Sequence, residues 1–460
     1  MTRLPVISLA DAYALIALLF GAFFLVATPP FGVGDETAHF ERSYEIATGR
    51  YLGAEGLPAG MQTLIDDAFG RVKSGDRVTA DDYERWSRID LAAKQVTPWP
   101  EPIRAVLRLH SPVCYIHLAP VVALGVALNL PPLAIFYLGR LVALVIGVFL
   151  VRAAIARAPS SLRPAMLLVG LLPTAVVFFA GYNIESFLVG LGFYYFALVA
   201  GFASEPEKRL VPREIALLAA TGFLFGQFKT GYMLAPAIAL ILPRSKFASR
   251  RDQIAVLALC IAPGILASLA WAGVVKSSIL GGLVYTTMDG NHVEPAAQLA
   301  GIIADPLGYA SVLWRTFTAS DAPDFAWQSF LGLGGWTNIP LPPLVYAFLT
   351  LSLALVWLSG DKPPPPLTNP FASAVQSGVF AATALAILTL VYLQWDGVGD
   401  KVISGFQGRY LLAIAPFVAA LAPVRLSFLA AQGRRAGLAV AAPMLGLVAM
   451  AAAVLAQYYG

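Results

Sequence analysis

Two adjacent carboxylates, Asp35 and Glu36, follow the run Pro29-Pro30-Phe31-Gly32-Val33-Gly34, and His39 stands four residues after Asp35. Positions i and i+4 share a helix face, so a helix here would turn a carboxylate and an imidazole toward one place. Such a carboxylate can act as general base on an acceptor hydroxyl, or join a metal site completed by another segment. It can equally cap the helix that follows, with Glu36 favouring the helix dipole. The spacing leaves both roles open.

Three other places interrupt apolar sequence with polar groups. Lys229, in Gly226-Gln227-Phe228-Lys229-Thr230-Gly231-Tyr232, is an ionisable group inside a long apolar stretch. At that depth it is a functional candidate by default; it suits a lipid phosphate, but also a lysine snorkelling from a short hairpin turn. Asn183 and Glu185 close another apolar stretch, either lining a cavity or forming a simple polar turn. Gln407-Gly408-Arg409-Tyr410 opens a third. A guanidinium beside a glycine fits a phosphate or pyrophosphate, and fits an interfacial anchor as well. Gln407 and Tyr232 flank the two cations and group with them as donor-phosphate residues. Trp336, in Gly332-Leu333-Gly334-Gly335-Trp336-Thr337-Asn338, could stack on a sugar ring or belong to an interfacial aromatic belt. His39, His110, His117 and His292 have no metal-motif spacing; a divalent cation, Mg or Mn, could still assist through Glu36 or His39. No P-loop, nucleophile elbow or HExxH motif is present.

The elements that must position these residues follow from composition. Of 460 residues, 58% are hydrophobic and 13% charged, against about 45–50% and 25% in soluble domains. More than a third of the charges lie in residues 35–108, under a sixth of the chain. That pattern excludes a soluble enzyme, a nucleic-acid binder and a disordered scaffold, and predicts an all-α polytopic membrane protein. Apolar stretches at 12–28, 112–130, 133–151, 164–182, 186–203, 213–228, 230–243, 253–275, 341–359, 372–393, 409–428 and 436–457 are candidate spans, giving about 11–13 transmembrane helices in a single unit. Arg and Lys clusters at 152–163, 208–213, 244–251 and 425–435 mark the cytoplasmic side. Residues 28–111 then form a large first outer loop, with a helix at 36–48 stopped by Gly49, and 276–340 a second, with a helix near 296–318; 341–460 supply the C-terminal helices. Two spans within 112–151 conflict with the sidedness of Arg152, so Leu130-Pro131-Pro132 is either a re-entrant hinge or one basic loop is misassigned. Cys114 and Cys260 lie far apart and suggest neither a disulfide nor a thiolate metal site.

The ordered set Pro-Pro-x(4)-Asp-Glu-x-x-His-Phe, Asn-x-Glu, Lys-Thr-Gly-Tyr, Leu-Gly-Gly-Trp-Thr-Asn-Ile-Pro-Leu-Pro and Gln-Gly-Arg-Tyr resembles the membrane-protein family filed as domain of unknown function 2142, over about residues 12–425. That family in turn resembles the GT-C superfamily of polytopic glycosyltransferases, which use polyprenyl-phosphate sugars on the outer side of the membrane. Asp35-Glu36 with His39-Phe40 is similar to the Asp-Glu motif of protein O-mannosyltransferases, whose aspartate is the base. The resemblance implies Asp35 as base, Glu36 as a supporting or acceptor-binding residue, and His39, Asn183, Glu185 and Trp336 on the sugar or acceptor side. Many relatives carry aspartate where Glu185 stands. It also implies a bacterial inner membrane, a periplasm-facing site, and a glycan, lipid or protein acceptor.

The expected reaction is an inverting transfer in which Lys229 and Arg409 neutralise the donor phosphate while Asp35 deprotonates an acceptor hydroxyl. These groups should then converge within roughly 10–15 Å, the scale of one phospho-sugar in a cleft. The rival from another class is a transporter or flippase for lipid-linked sugar or polysaccharide, and a third is a non-catalytic scaffold whose outer loop binds a partner.

Overall fold

The computed structural model describes residues 7–52, 56–92, 95–96, 108–276, 284–287, 290–359, 362–421 and 432–460. Among these, six helices are long and apolar enough to cross a membrane. They are α1 (Leu9–Ala27), α5 (Pro132–Arg157), α8 (Glu185–Ala203), α10 (Arg250–Val274), α15 (Pro370–Gln394) and α16 (Gln432–Tyr458). The helices between them are α2 (Glu36–Ala47), α3 (Ala80–Ser87), α4 (Ala119–Ala127), α6 (Arg163–Gly170), α7 (Pro173–Phe179) and α9 (Pro212–Phe228). Later in the chain come α11 (Pro295–Ala304), α12 (Pro306–Thr318), α13 (Ala322–Leu331) and α14 (Pro343–Leu358). The protein is an all-α polytopic membrane protein.

The other expected spans are short or broken, and proline explains most of the breaks. The 164–182 stretch is two half-helices, α6 and α7, separated at Leu171-Leu172-Pro173. Residues 230–243 and 409–421 run as 3-10 turns at Thr230–Tyr232, Ala235–Ile241, Gly408–Leu411 and Ala415–Val418. Pro236 and Pro416 there lack the amide that an α-helical ladder needs. Residues 422–428 lie outside the described residues. Within 112–151 only α5 is a full-length helix, because 112–130 is a 3-10 turn (Pro112–Tyr115) followed by the nine-residue α4. One span rather than two removes the conflict with the sidedness of Arg152.

Helix α8 is the centre of the bundle. Some 89% of its apolar window is enclosed by protein, against 22% for α10 and 28% for α15, so α8 faces protein all round while the outer helices keep lipid-facing sides. It packs on α5 and α9, and α1 also packs on α5. Glu185 is the first residue of this enclosed helix.

Helix α2 starts and stops where expected, with Gly49 in the left-handed region at φ 75. Its charges do not all face solvent. Arg42 and Glu45 form an ion pair at 2.6 Å with side chains 0% and 1% exposed, and Arg42 also donates to the Tyr51 carbonyl at 2.8 Å. The first of the two expected outer segments thus packs on the bundle through a polar but sealed helix, and its charge density is partly internal structure. In the second segment, α11 and α12 meet at Asp305 with a 108° bend. After α13 a hairpin pairs β1 (Leu333–Gly334) with β2 (Ile339–Pro340), in the register Leu333↔Pro340 and Gly334↔Ile339.

Candidate active site

Four segments far apart in sequence meet where α1 gives way to α2. The Pro29-Pro30 pair ends α1, and the chain turns through Gly34 into Asp35. The Gly34 N–H donates to the Gly335 carbonyl at 3.1 Å, tying this turn to the β1–β2 hairpin. A Cβ at Gly34 would sit 3.6 Å from that carbonyl and 3.7 Å from Arg409 Nη1, in ordinary contact, which places this turn directly against both the hairpin and Arg409.

Asp35 occupies the N-cap position of α2 but is not a cap. Its backbone is left-handed (φ 69, ψ 0) and its side chain makes no capping hydrogen bond. Instead Asp35 Oδ2 accepts from Arg409 Nη2 at 2.7 Å, with the carboxylate side chain 46% exposed and the arginine 6%. A non-glycine residue at positive φ is a strained conformation that its surroundings must enforce, and such residues cluster at functional sites. Of the two readings of Asp35, the capping one is not realised, and its carboxylate meets Arg409 instead of the helix amides.

Glu36 is a different kind of group. It is fully enclosed and forms a two-pronged pair with Arg140 of α5, at 2.7 Å from both Nε and Nη2. Its remaining lone pairs accept from the Val33 amide at 3.1 Å and the Tyr182 amide at 2.7 Å. Arg140 in turn donates to the carbonyls of Leu25, Thr28 and Pro29 at 3.1, 2.6 and 2.9 Å. With every acceptor position occupied and no exposure, Glu36 has no carboxylate oxygen free to meet another group. It is the clamp that fixes the end of α1 and the start of α2.

Lys229 and Glu185 form the second open ion pair, at 2.5 Å, with side chains 20% and 8% exposed. Glu185 Oε2 makes no hydrogen bond and lies 3.7 Å from His39 Nε2. His39 Nδ1 shares a 2.8 Å hydrogen bond with the Tyr115 hydroxyl, and its ring stacks on His110 at 5.8 Å. Burial holds the His39 imidazole below its usual value, against the pull of Glu185; Lys229, Asp35 and Arg409 also act on it. Burial likewise pushes His110 well below the ordinary range. Both rings are therefore neutral at pH 7.

Arg409 and Lys229 flank one ring. The guanidinium lies 5.3 Å from the centre of Tyr410 and the ammonium 5.8 Å from it, which keeps the two cations inside the roughly 10–15 Å expected around one phospho-sugar. Arg409 also stacks on Phe178 of α7 at 4.3 Å, and its Nε makes no hydrogen bond. The Gly408 amide donates to Ser329 Oγ of α13 at 2.8 Å. The Tyr232 hydroxyl donates to the Tyr410 carbonyl at 2.5 Å, so Tyr232, expected on the phosphate, instead holds the arginine segment in place.

The remaining expected residues divide. Gln407 is partly buried two residues before Arg409, with an Oε1 that makes no hydrogen bond. Asn183 is fully buried; it donates to the Phe178 carbonyl at 2.8 Å and accepts from the Ser186 amide at 3.2 Å. It shapes the turn into α8 and does not line a cavity. Trp336 donates to the Phe31 carbonyl at 2.9 Å, packs on Phe69 at 5.1 Å and carries Lys73 over its ring at 5.4 Å. Its ring is thus a packing surface beside the site. Among the described residues no three His, Cys, Asp or Glu side chains gather as a metal site, and Asp35 and Glu185 each face a cation.

Arg140 was not expected. An arginine in the first half of an apolar 26-residue helix, well away from Arg152 and Arg157 at its other end, was the available signal, since an intramembrane charge must have a partner.

No curated protein and no solved structure matches the chain. A family model described as predicted membrane protein (DUF2142) matches residues 18–418, a range that includes every site residue described above. The chain belongs to that family.

Proposed function

We propose that this protein is an inverting membrane glycosyltransferase that moves a sugar from a polyprenyl-phosphate donor to an acceptor hydroxyl at the outer face of a cell membrane. The observation that carries the reading is the meeting of one half-exposed carboxylate, Asp35, with two cations, Arg409 and Lys229, drawn from segments far apart in sequence.

Phosphate is already a good leaving group, so the site needs charge stabilisation more than a general acid. Arg409 and Lys229 supply it from largely enclosed positions, where electrostatics are stronger than in water. Asp35 takes the proton of the acceptor hydroxyl. The oxygen bonds to the anomeric carbon from the opposite face, the bond from that carbon to the phosphate oxygen breaks, and polyprenyl phosphate leaves with the electron pair. Glu185 holds the Lys229 ammonium in place, and neutral His39 borders the acceptor side without competing for the proton. No metal enters this scheme.

Incubating the purified protein with a panel of polyprenyl-phosphate sugars, and following donor consumption or a stabilising shift in thermal unfolding, tests the reading. One donor should be consumed, and Arg409→Ala and Lys229→Ala should each abolish consumption. Vectorial movement of a lipid-linked sugar across vesicles that survives in Asp35→Asn would overturn it in favour of the transporter reading.

A further inference from the structure

We infer that donor phosphate enters the site by taking Arg409 from Asp35, so that both carboxylate oxygens of the base are free only when the donor is bound. This rests on the glycosyltransferase reading above and adds an order of events to it.

The two open ion pairs are built differently. Glu185 is 8% exposed and faces both Lys229, at 2.5 Å, and His39, at 3.7 Å. Releasing it would strand a carboxylate in an enclosed setting, a costly state. Asp35 is 46% exposed and meets Arg409 through one hydrogen bond, Nη2 to Oδ2. A carboxylate half in water loses little on release. Arg409, in contrast, does not depend on Asp35 for its position. Phe178 at 4.3 Å and Tyr410 at 5.3 Å hold its guanidinium plane, while Ser329 and Tyr232 hold its backbone neighbours. Removing the carboxylate therefore leaves a fixed cation with donors free to turn toward an anion.

Phosphate is the better partner for that cation, because two of its oxygens can meet the guanidinium fork where Asp35 uses one. While Asp35 Oδ2 accepts from Arg409, that oxygen is occupied and ill placed to receive a hydroxyl proton. Exchange solves both problems in one step: phosphate oxygens take the guanidinium, and Asp35 turns to the acceptor. After transfer the proton on Asp35 passes to water as polyprenyl phosphate departs, and the Asp35–Arg409 pair re-forms. Donor therefore binds before the acceptor is activated.

The test is the affinity of the full-length protein in detergent for undecaprenyl phosphate, in the wild type and two variants. Asp35→Asn removes the competing charge and should tighten binding about tenfold, the weight of one charge-assisted hydrogen bond. Asp35→Gly, which suits the left-handed backbone, should tighten it to the same degree. Wild-type binding with equal or weaker affinity in both variants would overturn the exchange and leave the glycosyltransferase reading standing. Absence of binding in all three proteins would overturn both.

Discussion

Behind the turn that joins α1 to α2, Glu36 and Arg140 form a clamp with no exposure and every polar position matched. In front of it, Asp35, Arg409, Glu185 and Lys229 form two ion pairs that reach the surface, with Glu185 Oε2 and Arg409 Nε making no hydrogen bond. The two regions begin at consecutive residues. The clamp uses its charges to fix backbone, because Arg140 spends its other donors on three carbonyls at the end of α1. The open pairs use theirs to hold a charged surface ready. Saturation and exposure, rather than residue type, distinguish scaffold from chemistry here.

The largest expected effect falls on the clamp. Glu36→Gln leaves Arg140 buried without a counter-charge, and breaking a buried pair in this way costs about 3–5 kcal/mol; thermal unfolding in detergent should show a large loss or no folded protein. Near wild-type stability in Glu36→Gln would erase the distinction between the regions. Asp35→Asn, by comparison, should change stability by less than about 1 kcal/mol, as for exposed pairs, because asparagine tolerates the left-handed backbone. Asp35→Ala lacks that tolerance and should be less stable than Asp35→Asn by about 1 kcal/mol; equal melting of the two variants would show that the φ of 69 is not a constraint.

The smallest effect is a pH dependence at His39. Burial holds its imidazole below the ordinary value of 6.5, so below that pH the unfolded chain binds a proton that the folded chain refuses. Stability therefore falls as pH drops through and below 6.5, and His110 adds a slope of the same sign. His39→Gln should flatten the acid side of a stability profile measured between pH 7 and 5. An unchanged slope would mean that His39 titrates alike in both states.

Much of this was legible in the sequence. The membrane class follows from composition, the limits of α2 from its flanking turn residues, and the meeting of Asp35 with Arg409 and of Glu185 with Lys229 was foreshadowed by charges set in apolar surroundings, where a polar group must have a reason to be present. What local sequence could not do was separate Asp35 from Glu36. That separation depends on Arg140, which lies in another helix and reaches Glu36 only after α5 packs on α1. Tyr232 and Asn183 were ambiguous for a related reason: a polar side chain near a site reads the same whether it meets a ligand or, as both do here, a backbone carbonyl. The broken spans were hidden by composition, since 3-10 turns such as Ala235–Ile241 are as apolar as a helix. Pro236 and Pro416 were the cues to those breaks.

The central claim is that Asp35, and not its neighbour, is the base. The most direct test is a turnover assay of Asp35→Asn with whichever polyprenyl-phosphate sugar the wild type consumes, run beside its thermal unfolding. The account predicts loss of transfer in a protein that melts with the wild type. Transfer at the wild-type rate in a folded Asp35→Asn protein would contradict it.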